Sequence, residues 1–447
     1  MKFLLIDQDG LSLSLASRAA QAGHEVRWFV KPNKEVSKDT GKGFKGITKI
    51  DNWVPSVMWA DLVLPTGNAD FLERLDFFKK KGAHIFGPSV ASANLEIDRA
   101  AGMEFMEAHG IKLAPYETFN NLNEAIKHLQ KTDGRFVFKT MGDEEDKSMT
   151  YVSKSAADLL GWINRLKKQP KGEVMLQTFI DGIEMGVSRW MGSAGFIGPY
   201  NESFEHKKLM SGNYGPNTGE MGTVAANTND SKLGDDTLVK MEEDLIKMGH
   251  LGDTAIGFMI AEDGTPYPTE FTMRNGWPIM HLMIAACKGD PILWMKDALE
   301  GNDGTNFNQE IGTCLVLAHG NFPSKPDSLD DVTGIPVFGV TRGNKKYLHP
   351  QDIKIDIMPD MDGEKLVERP MWNTTGQIAA VITGFGKDVK QSTERAYNTA
   401  KQLHVANPIL RDDVGEKLEE TLPKLHKHGY ATHFNFELGK KTSTTPP

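Results

Sequence analysis

Gly215-Pro216-Asn217-Thr218-Gly219-Glu220-Met221-Gly222-Thr223 packs three glycines, a proline and an asparagine into nine residues. Such a run predicts a shaped loop and neither a helix nor a strand. Backbone left bare by glycine comes close to a small ligand, and its N–H groups can meet carboxylate or phosphate oxygens. Just upstream, Glu205-His206-Lys207-Lys208 sets two cations beside the loop. A Lys-Lys pair is solvated surface in most chains; nearness to the loop gives an anion-handling role equal weight here.

Around the loop, apolar runs alternate with helical periodicity. Residues 2–6 read as a buried strand, with a turn at Asp7–Gly10 and a helix whose apolar positions are Leu11, Leu15, Ala16 and Ala19. Residues 25–30, 61–65 and 84–88 read as further strands, which predicts a parallel α/β sheet. Residues 95–109 and 154–168 read as helices, and 135–139 and 173–177 as strands. A hairpin is expected from 256–261 and 267–271 about Asp263-Gly264. Strands at 314–317, 337–340 and 378–382 precede a helix at 389–404. These elements mark an N-terminal α/β domain (1–92) and a flexible tail (436–447).

Composition sets bounds on function. The chain has 447 residues, 39% hydrophobic and 25% charged, with a formal net charge of -9. That is the profile of a globular enzyme, and it gives no strong nucleic-acid signal. Two cysteines, Cys287 and Cys314, make no disulfide framework and lack zinc spacing, so reduced thiols in a cytoplasmic protein are expected. The apolar start is too short for a signal peptide, and no run reaches the length of a membrane span.

The loop resembles that of the phosphoribosylamine–glycine ligase (glycinamide ribonucleotide synthetase) family, ATP-grasp enzymes of purine synthesis, which read Gly-Pro-Asn-Thr-Gly-Gly-Met-Gly-Ala there. Other segments continue the likeness in order: Ile85-Phe86-Gly87-Pro88-Ser89, Leu95-Glu96-Ile97-Asp98-Arg99, Phe179-Ile180-Asp181-Gly182-Ile183-Glu184, Glu205-His206-Lys207-Lys208 and Glu270-Phe271-Thr272-Met273-Arg274. The resemblance implies a mixed α/β and α+β multidomain chain. It would hold a parallel preATP-grasp domain, an ATP-grasp core (93–310) with a lid subdomain near 113–186, and a C-terminal domain (311–435).

It also implies roles. Lys139 and Lys147 would contact nucleotide phosphates, with Arg99 on the same side. Gln177, Phe179 and Ile180 would form the adenine hinge, and Glu184 would accept from ribose hydroxyls. Glu270 would ligate magnesium or manganese. Thr272 stands where the family has a second donor, an asparagine, and a hydroxyl is the poorer ligand. Arg274, Lys207 and Lys208 would hold the acyl phosphate, as a guanidinium fork suits that group. Gly215, Pro216, Asn217, Thr218 and Gly219 would bind the amino acid.

Three segments depart from the family. Its phosphate-binding turn Gly-x-Gly-Gly-Arg-Glu-His is Asp7-Gln8-Asp9-Gly10-Leu11-Ser12-Leu13 here, and two aspartates would repel a sugar phosphate. Its Gly-Pro-Glu-x-Pro-Leu is Thr66-Gly67-Asn68-Ala69-Asp70-Phe71. Its glycine-rich lid is Gly142-Asp143-Glu144-Glu145-Asp146-Lys147-Ser148-Met149, four carboxylates in a row. Two of these changes strike the amine-substrate side, where Asp9, Gly10 and Asn68 would meet the acceptor. The expectation is an ATP-dependent carboxylate–amine ligase, a monomer or homodimer. It would activate a small amino acid and pass it to an amine-bearing small molecule or nucleotide other than phosphoribosylamine. The ordinary purine reaction, a non-catalytic nucleotide binder and a kinase-like relative remain alternatives.

Overall fold

The computed structural model describes residues 1–32, 37–141 and 149–439. The acidic lid run with Lys147, and the tail from 440 onward, lie outside the described residues. The chain forms two compact units, one of Met1–Ala91, Gly186–Ala255 and Thr272–Pro447, the other of Ser92–Met185 and Ile256–Phe271.

The first unit opens with a parallel sheet in the order Ile47–Ile50, Glu25–Val30, Lys2–Asp7, Leu62–Pro65. Phe3, Leu4, Leu5 and Ile6 are fully buried, as a strand covered on both faces requires. The fifth strand expected at 84–88 is reduced to one bridge, Val63 to Ile85. Val63 N donates to His84 O and Phe86 N to Val63 O, and then the ladder stops. Pro65 and Pro88 have no N–H to continue it. Ile47–Ile50, a short edge strand, was not anticipated.

The rest of this unit is built on an antiparallel sheet. Its strands run in the order Gly182–Gly192 (from Gly186 onward), Gly195–Glu205, Gly222–Thr228, Ile311–His319, Ile378–Gly386 and Leu348–Pro350. Every residue of Ile311–His319 is buried, between the helices Val389–Ala400 and Ile279–Ala286. A three-stranded sheet joins Thr333–Val337 to the hairpin Ile353–Asp362/Lys365–Thr375. The strand expected at 337–340 therefore ends at Val337. Gly339 sits at φ +83 with its backbone pressed on Gln402 O, a position no strand residue adopts. Neither cysteine is bonded; Cys314 is buried and Cys287 half-buried.

The second unit holds a four-stranded antiparallel sheet ordered Tyr116–Phe119, Val174–Thr178, Phe136–Thr140, Tyr151–Val152. The helices Leu122–Leu129 and Ala156–Ile163 close over one core with it, through Leu122, Leu129, Phe138, Leu159, Val174 and Leu176. The expected single helix over 95–109 is two, Val90–Ile97 and Arg99–Ala108. Asp98 breaks it: its Oδ1 accepts from Ala100 N at 2.9 Å and Ala101 N at 3.2 Å, an N-cap that starts a new helix at Arg99. The hairpin Gly252–Ala261/Pro266–Thr272 turns at Gly264, φ +83. Among the described residues no helix is long and apolar enough to cross a membrane.

Candidate functional site

In the second unit, the Asp98 cap fixes Arg99 as the first residue of its helix, and the strand Phe136–Thr140 carries Lys139. Lys139 is 7% exposed, and its Nζ donates to Thr269 O at 3.5 Å. Burial first, then Arg99, pulls its pKa down to about 8, while Glu270 opposes them. Burial likewise lowers Arg99, again with Glu270 opposing. Two cations and one carboxylate thus share a small space, with a surplus of positive charge that suits a phosphate.

Gln177 is buried in Val174–Thr178 between Tyr116 and Val137. Phe179 N donates to Arg135 O at 2.9 Å and Thr178 N to Pro115 O at 2.8 Å. Among the described residues, Ile180 N is the first in this stretch with no such backbone bond. The Arg135 guanidinium lies 3.4 Å from the Phe179 ring centre, so Arg135 holds the Phe179 ring in place; strand-end arginines are too common to have marked it in the sequence. Glu184 stands half-buried on Gly182–Gly192. Lys147 lies outside the described residues.

For a metal, Glu270 is an exposed carboxylate on Pro266–Thr272, and Thr272, two residues on, shares its strand face. Among the described residues no three His, Cys, Asp or Glu side chains cluster as a metal cage. One carboxylate and a hydroxyl fit magnesium that takes most of its ligands from nucleotide phosphates and water.

In the first unit, the glycine loop contains a strand, contrary to expectation. Tyr214–Asn217 pairs with Lys208–Met210, with Lys208 opposite Asn217. Pro216 is tolerated there because the pair is an isolated two-stranded ribbon with an open edge. Thr218 donates to Lys207 O from both N (2.8 Å) and Oγ1 (2.9 Å). Met221 N donates to His206 O, and His206 N to Gly222 O. The lysine segment and the loop are thus one clamped object. Lys207 Nζ lies 3.1 Å from Glu205, so part of its charge is spent locally.

Arg411 locks this object from beneath and was not legible in the sequence. It is 3% exposed and donates to Asp413, to Lys208 O at 3.0 Å and to Asn213 Oδ1 at 2.8 Å. Asp413 in turn accepts from Gly212 N at 2.8 Å. Tyr214 to Asn217 remain exposed above.

Arg274, half-buried, acts on the turn between the first strand and first helix. Asp9 there is pushed up chiefly by burial, then by Asp7, with Arg274 opposing. Asp253 is raised to about 7 by burial, again with Arg274 opposing. The rim also carries Asp70 and Lys31, paired at 2.5 Å. Asn68 is buried, and Gly10 takes φ +76.

Asp7 departs from expectation, because it does not face a ligand. It is fully buried. Its Oδ1 accepts from Gly10 N (3.0 Å), Leu11 N (3.3 Å) and Thr66 Oγ1 (3.2 Å), and its Oδ2 from Ser12 N (2.8 Å) and Trp28 Nε1 (3.1 Å). The backbone N–H groups at a helix start are those an incoming phosphate would use. Here an internal carboxylate has taken the N–H groups of Gly10, Leu11 and Ser12, the turn that leads into the helix Leu13–Gln21.

Residues 99–278 match the family model "Phosphoribosylglycinamide synthetase, ATP-grasp (A) domain". That span includes Arg99, Lys139, the glycine loop, Glu270 and Arg274, and excludes the Asp7 turn. Phosphoribosylamine–glycine ligase of Ralstonia nicotianae is 28% identical over 360 residues, 77% of this chain and 81% of that protein. That of Clostridium acetobutylicum is 24% identical over 438 residues, 93% of this chain and 100% of that protein. The crystal structure of phosphoribosylamine–glycine ligase from Thermotoga maritima superposes with a TM-score of 0.69 at 20% identity, covering 93% of this chain and 100% of that one. With the loop, the cation pair around Glu270 and the ATP-grasp fold in one chain, residues 99–278 match the ATP-grasp domain of phosphoribosylglycinamide synthetase, and most of the chain is similar to phosphoribosylamine–glycine ligases.

Proposed function

We propose that this chain is a cytoplasmic ATP-dependent carboxylate–amine ligase whose acceptor is an amine other than phosphoribosylamine. A carboxylate oxygen of glycine or another small amino acid attacks the terminal phosphorus of ATP, and ADP leaves. The acceptor nitrogen's lone pair then attacks the acyl carbon, phosphate departs with the C–O electrons, and the amine proton is lost. The enzyme supplies position and charge, with no covalent nucleophile of its own.

In this reading Lys139 and Arg99 receive the nucleotide phosphates, with Lys147 as a further cation. Gln177 and Phe179 shape the adenine hinge, Ile180 supplies its backbone donor, and Glu184 takes the ribose. Arg274, Lys207 and Lys208 neutralise the acyl phosphate. The backbone of Gly215 to Gly219 holds the amino acid, and Asp9, Gly10 and Asn68 meet the acceptor. Magnesium, held by Glu270 and Thr272 with the nucleotide, would supply charge neutralisation on the phosphates.

The observation that carries the acceptor assignment is the Asp7 carboxylate, which occupies the strand-to-helix turn N–H groups of Gly10, Leu11 and Ser12 that a 5′-phosphate would need. The similarity to phosphoribosylamine–glycine ligases favours a second reading, the ordinary reaction with glycine and phosphoribosylamine. ADP release with ATP, magnesium and glycine separates the two. Faster turnover with a phosphate-free amine than with phosphoribosylamine is expected. Equal or better turnover with phosphoribosylamine overturns the acceptor assignment, and no ADP with any amino acid and amine overturns the ligase.

A further inference from the structure

The helix Leu13–Gln21 has a second face that the ligase reading does not use. Leu15, Ala16 and Ala19 are buried in the core. Ser14, Ser17, Arg18 and Gln21 recur at i, i+3, i+4 and i+7, one stripe of the helix. That stripe lines a cavity of about 220 Å³, with Lys345 and Lys346 also on its wall. Phe44, Leu348, Pro350 and Trp372 complete the wall, with the Phe44 and Trp372 ring centres 6.5 Å apart. Among the described residues no carboxylate lines it. Arg18, Lys345 and Lys346 therefore stand together uncompensated in a chain whose formal net charge is -9.

Arg18 decides what the cavity suits. Its Nη2 donates to Lys346 O at 2.7 Å and lies 3.5 Å from His349 Nε2. His349 brings no negative charge. It is buried and held well below its ordinary pKa, by burial first and then by Arg18 and His281. Ser14 Oγ bonds its other ring nitrogen at 2.9 Å. Among the described residues no carboxylate pairs with Arg18, and burial pulls its pKa down to about 10. A largely desolvated guanidinium is costly without an anion, and a guanidinium presents five N–H donors, more than these contacts spend.

We infer that this cavity binds a compact phosphoryl anion, gripped by the Arg18 fork and the two lysines. The volume lies below the roughly 300 Å³ at which pockets for drug-sized ligands begin, which favours inorganic phosphate or a sugar phosphate over a nucleoside triphosphate. Both present the same phosphoryl dianion. The inference is independent of the acceptor assignment above.

Titration calorimetry of the full chain with inorganic phosphate, ribose 5-phosphate and ribose, at constant ionic strength, tests it. Saturable binding of a phosphate ligand and none of ribose is expected. Response to inorganic phosphate alone, or to ribose 5-phosphate alone, identifies which source the cavity takes. Arg18→Gln should abolish binding. Lys345 and Lys346 are exposed, so the double variant Lys345→Gln/Lys346→Gln keeps the fold and should weaken binding about tenfold or more. No saturable heat from either phosphate ligand overturns the inference. So does unchanged affinity in the double variant, which would place the bound phosphate elsewhere.

Discussion

Lys139 shows how one residue's surroundings set its chemistry. At about 8 its pKa lies close to neutral pH, because burial and Arg99 outweigh Glu270. A phosphate contact needs the ammonium form, so nucleotide affinity should weaken as pH rises through about 8. Lys139→Met should bind ATP about tenfold more weakly at pH 7 and lose that dependence. A wild-type dissociation constant that stays flat from pH 7 to 9 would dismiss the contact. The effect on stability runs the other way. Between about 8 and the ordinary 10.5 the folded chain binds fewer protons at Lys139 than the unfolded one, so this group's penalty is full below 8 and relieved above it. Asp7 and Asp9, two positions apart, should differ just as sharply. Asp7→Ala strands buried backbone donors and the Trp28 indole, at a cost on the order of 3 kcal/mol in urea unfolding. Asp9 is raised by burial and by Asp7, so its charged form is disfavoured in the fold. Asp9→Asn should leave the urea midpoint at pH 7 unchanged or higher, and a large drop would mean that Asp9 is structural.

At the scale of the element, the glycine loop was read as one ligand cradle, and its glycines prove to do different work. Gly215 is there for its φ of +80. Gly222 is there for packing, since a Cβ would lie 2.7 Å from Cys314 O and 2.8 Å from Val414. Gly219 has neither constraint; a Cβ would meet only the Trp277 ring at 3.6 Å, an ordinary contact. Gly222→Ala should therefore cost about 2 kcal/mol by overpacking. Gly219→Ala should keep its melting temperature but lower amino-acid-dependent ADP release tenfold or more, about 1.4 kcal/mol. Full activity in Gly219→Ala would remove this backbone from the binding site. The loop's place was legible because glycine, proline and asparagine punctuate backbone. Its pairing with Lys208–Met210 was not, because ribbon register comes from hydrogen bonds that side-chain patterns do not encode. Arg411 was hidden for a related reason: an Arg-Asp-Asp run reads as surface until the fold buries it. The hairpin Ile353–Asp362/Lys365–Thr375 was the reverse case. Its Asp362-Gly363 turn and alternating Ile353, Ile355 and Ile357 are a hairpin signal that the sequence does carry.

Across the molecule, the strands read most securely were continuous apolar runs such as Lys2–Asp7 and Ile378–Gly386, where burial on both faces leaves no other assignment. What composition could not convey is how many titratable groups the first unit buries. Burial first holds His206 at about 4, His250 at about 3, His281 at about 3 and His433 at about 4. Burial also pushes Glu202 to about 7, Asp253 to about 7 and Asp352 to about 6. The two sets act in opposite directions. A histidine kept neutral binds fewer protons folded than unfolded below 6.5, so its stability is present above 6.5 and lost as pH falls toward 3 or 4. A carboxylate raised by burial binds more protons folded, so stability is regained as pH falls from about 7 toward 4. Between about 4.5 and 6.5 the contributions offset each other, and below about 4 the loss from His250 and His281 stands alone. There it is joined by Asp413, which Arg411 and Gly212 hold below its ordinary value against burial. The urea midpoint should therefore stay nearly level from pH 6.5 to 4.5 and fall steeply below 4. Tryptophan fluorescence reads this unit, because every tryptophan except Trp162 belongs to it. A midpoint that declines steadily from pH 7 would mean that the buried carboxylates do not carry their protons in the folded chain.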